Sequence, residues 1–352
     1  MLYNINHNSY SKIFNQIPYL CTHCIYTHFT NMKNGINNYL CLLLFATTLL
    51  GCSKSIEMTA ELSLQAEATT GEGAIWHPER ESLFWVDIEG CKLYEYAPER
   101  QNCREWTFDR MVSTVVPESD STVVVALQDQ IVRLNLFTNQ RTTIAPIPDE
   151  NGKLRCNDGK CDTEGRLWVG TMGFGAPEGA ASLYCVWPDG TVQEKLDEVT
   201  ISNGIVWSPT NRFMYYNDTP TNRIARYRYD AERAEILFDG VALDIPRGTG
   251  SPDGMTIDAD GNLWVAQWGG AGVYCYNPYS GELLAKINVP APNVASCAFG
   301  GPNLEWLYIT TARAGLSEEQ LKQYPLSGSV FVCKPGVKGV RANYFGTQEK
   351  KK

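Results

Sequence analysis

Four short segments carry an oxygen-bearing side chain one or two residues before a glycine, at a matching stretch of a recurring pattern. They are Glu72 in Gly71-Glu-Gly-Ala-Ile-Trp76, Asn157 in Asn157-Asp-Gly159, Asn203 in Ser202-Asn-Gly-Ile-Val-Trp207 and Asp253 in Pro252-Asp-Gly-Met-Thr-Ile257. Any one of them reads as turn chemistry, because Asn-Gly and Asp-Gly are ordinary turn pairs. Four at one phase of a repeat point instead to carboxylate and amide oxygens gathered around one cavity. Hard donors of that kind suit Ca²⁺, Mg²⁺ or Mn²⁺, with Zn²⁺ open through the carboxylates.

The chemistry missing from the chain narrows this reading. Of its four histidines only His77 lies beyond residue 52, in a turn beside Pro78, so histidine catalysis is not expected. The sequence has no G-x-S-x-G elbow, no H-E-x-x-H and no P-loop, which argues against serine-hydrolase, zincin and nucleotide chemistry. Lys and Arg number 30 against 39 Asp and Glu, a net charge of −9, and the short Lys350, Lys351, Lys352 tail is the one basic run. A nucleic-acid phosphate backbone is therefore excluded as a partner. With 43% hydrophobic and 20% charged residues, the chain can bury a core and is neither disordered nor collagen-like.

The elements that must position these side chains follow from the repeat. Each unit runs from a polar-Gly step through a short apolar strand and a turn, such as His77-Pro-Glu-Arg-Glu81 or Asp258-Ala-Asp-Gly-Asn262. An aromatic-rich second strand follows, such as Leu83-Phe-Trp-Val86 or Leu263-Trp-Val265, and then further strands. Units begin near residues 72, 112, 157, 203, 253 and 296, a spacing of about 45 that matches four-stranded propeller blades. The expected fold is an all-β, six-bladed β-propeller over residues 60–347. Its last blade shows three strands of its own, and residues 60–66 supply the fourth and close the ring, which removes an open sheet edge.

Residues 1–51 read as a non-mature leader. Met32-Lys33 opens a signal-like stretch, so Met32 is a candidate true start, and the apolar run from Tyr39 to Leu50 is too short to span a bilayer. It ends in Leu49-Leu-Gly-Cys52, which resembles a bacterial lipobox whose Cys52 would become the lipidated first residue, with residues 52–59 as a tether. The expected location is the bacterial cell envelope, periplasmic or surface, with membrane contact only through that anchor. Removing the leader takes away Lys12 and Lys33 but no acid, so the exported body moves from −9 to −11. Its eight cysteines form no CxxC pair, and several lie in strand-like apolar runs, where a buried thiol is the expected state.

Taken together, these segments resemble the senescence-marker-protein, regucalcin and gluconolactonase family of six-bladed propellers. To those above are added Arg155-Cys-Asn-Asp-Gly-Lys-Cys-Asp162 with Gly170-Thr-Met172, Cys297-Ala-Phe-Gly-Gly301 and Gly336-Val-Lys-Gly339. The resemblance implies hydrolysis of a sugar lactone to its aldonic acid with one divalent cation, most readily Ca²⁺. It makes Glu72, Asn203 and Asp253 the metal ligands, with Asp253 also the catalytic base, and Arg155 and Asn157 the substrate-orienting pair. Some relatives carry a further substrate-binding carboxylate after the Gly-Thr-Met segment. Phe174 and Gly175 occupy that stretch here, and Glu178 is the nearest acid. Two other readings stay open: a non-catalytic propeller that binds protein or glycan, and a broader lactonase or arylesterase.

Overall fold

The computed structural model describes residues 55–149 and 151–346. The leader, the Leu49 to Cys52 segment and the lysine tail lie outside the described residues. What is described is all-β and propeller-like, with a single short α-helix, Glu318–Gln323, closed at its N-terminus by a capping box from Ser317.

Four sheets are antiparallel four-stranded meanders. The first runs Gly71–His77, Ser82–Asp87, Lys92–Ala97 and Asn102–Thr107, and the others begin at Val112–Pro117, Leu154–Cys161 and Ser202–Trp207. A nine-stranded sheet takes the remainder. In it, the run from Ser251–Ile257 to Leu283–Asn288 meets the run from Asn293–Gly300 to Val330–Cys333 through one residue pair, Trp268 with Asn293. The first strands of these runs pack against one another in chain order, and Asn293–Gly300 returns to Gly71–His77, so they line a closed central channel.

The segment before the first meander ties this closure. Glu61–Leu64 pairs antiparallel with Val330–Cys333, as the closing strand expected from residues 60–66 should. Ile56–Thr59, inside the stretch read as a tether, forms a strand of its own, parallel to Leu283–Asn288. The N-terminal segment therefore supplies an outer strand to both runs of the large sheet, and their outermost backbone groups are paired rather than left as open edges.

Inner and second strands are buried on both faces because neighbouring sheets cover them. Ser82–Asp87, with Leu83, Phe84, Trp85 and Val86, is buried throughout, whereas the outer strand Val192–Val199 is mostly exposed. A repeated turn device locks the hairpins. Asp162 accepts from the backbone N–H of Glu164 and Arg166 and from Trp168 Nε1 at 2.8 Å. Asp258 does the same for Asp260, Asn262 and Trp264 Nε1. One carboxylate thus satisfies a tight turn and an otherwise orphaned buried indole N–H. Among the described residues no helix is long and apolar enough to cross a membrane. The cysteines behave as expected from their strand settings: all eight are free thiols, with Cys156, Cys161, Cys185, Cys275, Cys297 and Cys333 buried, Cys91 half-buried and Cys103 exposed.

Candidate active site

Every channel-lining strand carries a β-bulge at one shared level. The register slips between Glu72 and Ile75, Val112 and Thr114, Cys156 and Gly159, Asn203 and Ile205, Pro252 and Met255, and Val294 and Ser296. A bulge adds one residue to one strand, breaks the strict in-out alternation and re-aims a side chain. Glu72, Asn157, Asn203 and Asp253 lie at or directly beside these slips. The Asn-Gly and Asp-Gly pairs are therefore interior to strands and are not turns. Their glycines answer to close packing: a Cβ on Gly204 would sit 2.7 Å from the Asp253 carbonyl oxygen, and one on Gly254 would sit 2.8 Å from that of Ala295.

The four phase residues come together in the channel, each 4–6% exposed. Asn157 Nδ2 donates to Asn203 Oδ1 and to the Ser202 carbonyl, both at 2.8 Å. Arg155, half-buried, donates to Asn157 Oδ1 at 2.6 Å and to the Cys156 carbonyl at 3.0 Å. Glu72 Oε2 accepts from the Gly73 N–H at 3.0 Å, and the Glu72 and Asp253 carboxyls stand within hydrogen-bonding reach of each other. Asn217 Nδ2 holds the Asp253 carbonyl at 2.9 Å.

The sequence reading passed over Asp158. It is buried, its Oδ1 accepts from the Gly159 N–H at 2.8 Å, and its charge acts on both Glu72 and Asp253. Strict strand alternation would send the side chain after Asn157 to the opposite face, and the bulge overturns that rule. Glu89, exposed on the loop after Ser82–Asp87, is a second acid not singled out, and its charge acts on Arg155. Glu178 is exposed in the loop 174–180, which follows the strand whose Met172 pairs with Arg155. His77 is buried at the far end of its strand from Glu72, against Ser119, Tyr344 and the Glu79 carboxylate.

The electrostatics follow from three carboxyls in one buried space. Burial, reinforced by the Asp158 charge, pushes Glu72 up to about 7. Burial and the neighbouring Glu72 hold Asp253 well above the usual carboxylate range. Burial raises Asp158 too, opposed by the Lys160 ammonium. Burial lowers the Arg155 guanidinium, against the pull of Glu89 and Glu72. Asp253 Oδ1 and Asp158 Oδ2 have no hydrogen-bond partner.

Buried, partnerless carboxylate oxygens that cannot all stay charged together call for a proton or a cation. Among the described residues no three His, Cys, Asp or Glu side chains form a ready cation cage. A bound ion would therefore need the Asn203 amide oxygen in addition to Glu72 and Asp253, and that hard-oxygen set fits a divalent cation. A separate cavity of about 260 Å³ lies near the other ends of the inner strands, against Trp76, Lys160, Trp207, Phe299 and Arg341. It is lined by none of Glu72, Arg155, Asn157, Asn203 and Asp253.

The chain matches the family described as SMP-30/Gluconolactonase/LRE-like region over residues 70–313. It belongs to that family. A Bacillus subtilis (strain 168) protein, YvrE, provisionally named a sugar lactone lactonase, is 37% identical over 274 residues, covering 78% of this chain and 94% of that one. Regucalcin of Xenopus laevis is 31% identical over 281 residues, covering 78% of this chain and 94% of its own length. The crystal structure of a calcium-binding protein, regucalcin, from Agrobacterium tumefaciens str. C58 superposes with a TM-score of 0.79 at 28% identity, covering 84% of this chain and all of that one. The family match begins two residues before Glu72 and takes in Arg155, Asn157, Asn203 and Asp253, so the channel cluster lies wholly within the family region.

Proposed function

We propose that the protein hydrolyses a sugar lactone to its aldonic acid, with one divalent cation held by Glu72, Asn203 and Asp253. The observation that carries this reading is the buried Glu72–Asp253 pair, in one channel with Asn203 and with Arg155 held by Asn157. Membership of a family that includes named lactonases and a calcium-binding regucalcin supports it. The ring is read as six blades, with the nine-stranded sheet counted as two blades joined at Trp268 and Asn293.

When bound, the cation would supply Lewis acidity and neutralise carboxylate charge, and Ca²⁺ is the first candidate, with Zn²⁺, Mg²⁺ and Mn²⁺ as alternatives. The chain's own residues do the rest. Arg155 offers fixed N–H donors to the lactone oxygens, and Asn157, with both its amide protons already engaged, holds Arg155 in place. Asp253, with one oxygen free of hydrogen bonds, accepts a proton from the attacking water. The water oxygen bonds to the carbonyl carbon, the ring C–O bond breaks, and the proton passes to the departing ring oxygen as a hydroxyl.

A panel of sugar lactones and aryl esters tests the reading. Rapid opening of aldonolactones with little aryl-ester turnover supports it, the reverse preference would favour an arylesterase, and no turnover of either class would leave a binding propeller. Within that panel Arg155→Ala is expected to raise KM by about tenfold or more, the scale of one lost charged hydrogen bond, and to leave cation affinity nearly unchanged. Weakened cation binding without a KM effect would contradict the role assigned to Arg155.

Location is part of the same proposal. Cys52 ends the lipobox-like segment, so the propeller is read as lipid-anchored in the cell envelope. Cys52→Ala should shift the protein from the membrane to the soluble fraction. Identical partitioning of variant and wild type would remove the anchor from the account.

A further inference from the structure

We infer that Thr219 is a positioning residue that fixes the Asn203 side chain with its amide oxygen turned to the channel. This rests on the reading of Asn203 as a cation ligand. Thr219 opens the short turn after the strand Phe213–Asp218, and its own N–H donates to the Ile201 carbonyl at 3.1 Å. Its Oγ1 accepts from Asn203 Nδ2 at 2.8 Å and donates to the Pro252 carbonyl at 2.8 Å. It therefore links the strand that carries Asn203 to the strand that carries Asp253.

The direction of the whole chain of hydrogen bonds is set by its ends. A guanidinium only donates and a backbone carbonyl only accepts. Arg155 at one end and the Ser202 carbonyl at the other side of Asn157 therefore leave one orientation for that amide, oxygen toward Arg155 and nitrogen toward Ser202. The second Asn157 Nδ2 proton then requires an oxygen on Asn203, which turns Asn203 Nδ2 toward Thr219. The Pro252 carbonyl completes the sequence by taking the Thr219 hydroxyl proton.

Asn203 Oδ1 has two acceptor sites. One is used by Asn157, and the other stays free for a cation. Without the Thr219 hydroxyl, Asn203 Nδ2 loses its acceptor in a buried setting and the Pro252 carbonyl loses its donor. The amide can then rotate, and a rotation that presents nitrogen would put two donors face to face at Asn157 and take an oxygen from the cation site. Partners of this kind, one bond behind a ligand, typically govern metal affinity by about 10- to 100-fold.

The test compares the wild type with Thr219→Val and Thr219→Ser, with thermal melts to establish that each is folded. In calorimetric titration with CaCl₂ alone, Thr219→Val should bind about 10- to 100-fold more weakly, and Thr219→Ser should return to wild-type affinity. A second readout needs no metal. In metal-free protein the Asn203 side-chain amide protons, assigned by their disappearance in Asn203→Ala, should exchange slowly in the wild type and Thr219→Ser and lose that protection in Thr219→Val. Unchanged protection in Thr219→Val would overturn the inference, as would a Thr219→Ser protein as weak as the valine variant. A wild type that takes up no Ca²⁺ while the exchange contrast persists would sink the cation reading and leave the Thr219 role intact.

Discussion

Asp253→Asn is expected to lower lactone turnover by about 10²- to 10⁴-fold, the range for a positioned acid–base group, in a protein that still folds. Asparagine keeps the size of the side chain and one coordinating oxygen but removes the charge that both a cation and a general base need. The fold should tolerate the change well. Asp253 is buried beside Glu72 and Asp158, its carboxyl is driven well above its ordinary range, and its Oδ1 has no hydrogen-bond partner. Neutralising it relieves like-charge crowding, so without cation the variant should melt at or above the wild type. Glu72→Gln should weaken cation binding in the same assay. A folded Asp253→Asn protein with normal turnover would remove Asp253 from the reaction.

Much of this candidate site is legible in the sequence. The shared phase of Glu72, Asn157, Asn203 and Asp253 survives folding as a shared level of the channel, because a repeat that keeps its strand lengths keeps equivalent residues at equivalent heights. The closing strand at Glu61–Leu64 was legible for a related reason: a three-stranded final unit leaves an edge that must be paired.

Asp158 stands directly before Gly159, as Glu72, Asn203 and Asp253 stand before their glycines, so the repeat did mark it, and the bulge between Cys156 and Gly159 places it beside Asn157 in the buried strand. The rest of what stayed hidden had no local signal. Thr219 lies 16 residues after Asn203, in a turn whose composition says nothing about which amide it will meet. The parallel pairing of Ile56–Thr59 with Leu283–Asn288 joins segments more than 200 residues apart, and neither carries a mark of the other. Glu178, the acid nearest the Gly-Thr-Met segment, lies exposed in the loop 174–180, which leaves the same end of the strands as Arg155.

The second large effect concerns the cation. Stripping it should abolish most lactone turnover, because buried Glu72 and Asp253 would then share protons and Asp253 could no longer serve as a charged base. Glu72, pushed up to about 7 from an ordinary 4.5, binds more protons folded than unfolded between those values. In metal-free protein its contribution to stability is therefore full below about 4.5 and lost as the pH rises through about 7. The metal-free protein should melt lower at pH 8 than at pH 6, and a bound cation, which replaces the proton, should stabilise most at the higher pH. The most direct measurement is aldonolactone hydrolysis by the full chain before chelation, after exhaustive chelation and after add-back of Ca²⁺, Zn²⁺, Mg²⁺ or Mn²⁺ in turn. The expected result is loss of turnover on chelation and recovery with at least one of these ions, and full turnover by thoroughly chelated protein would contradict the metal-dependent site.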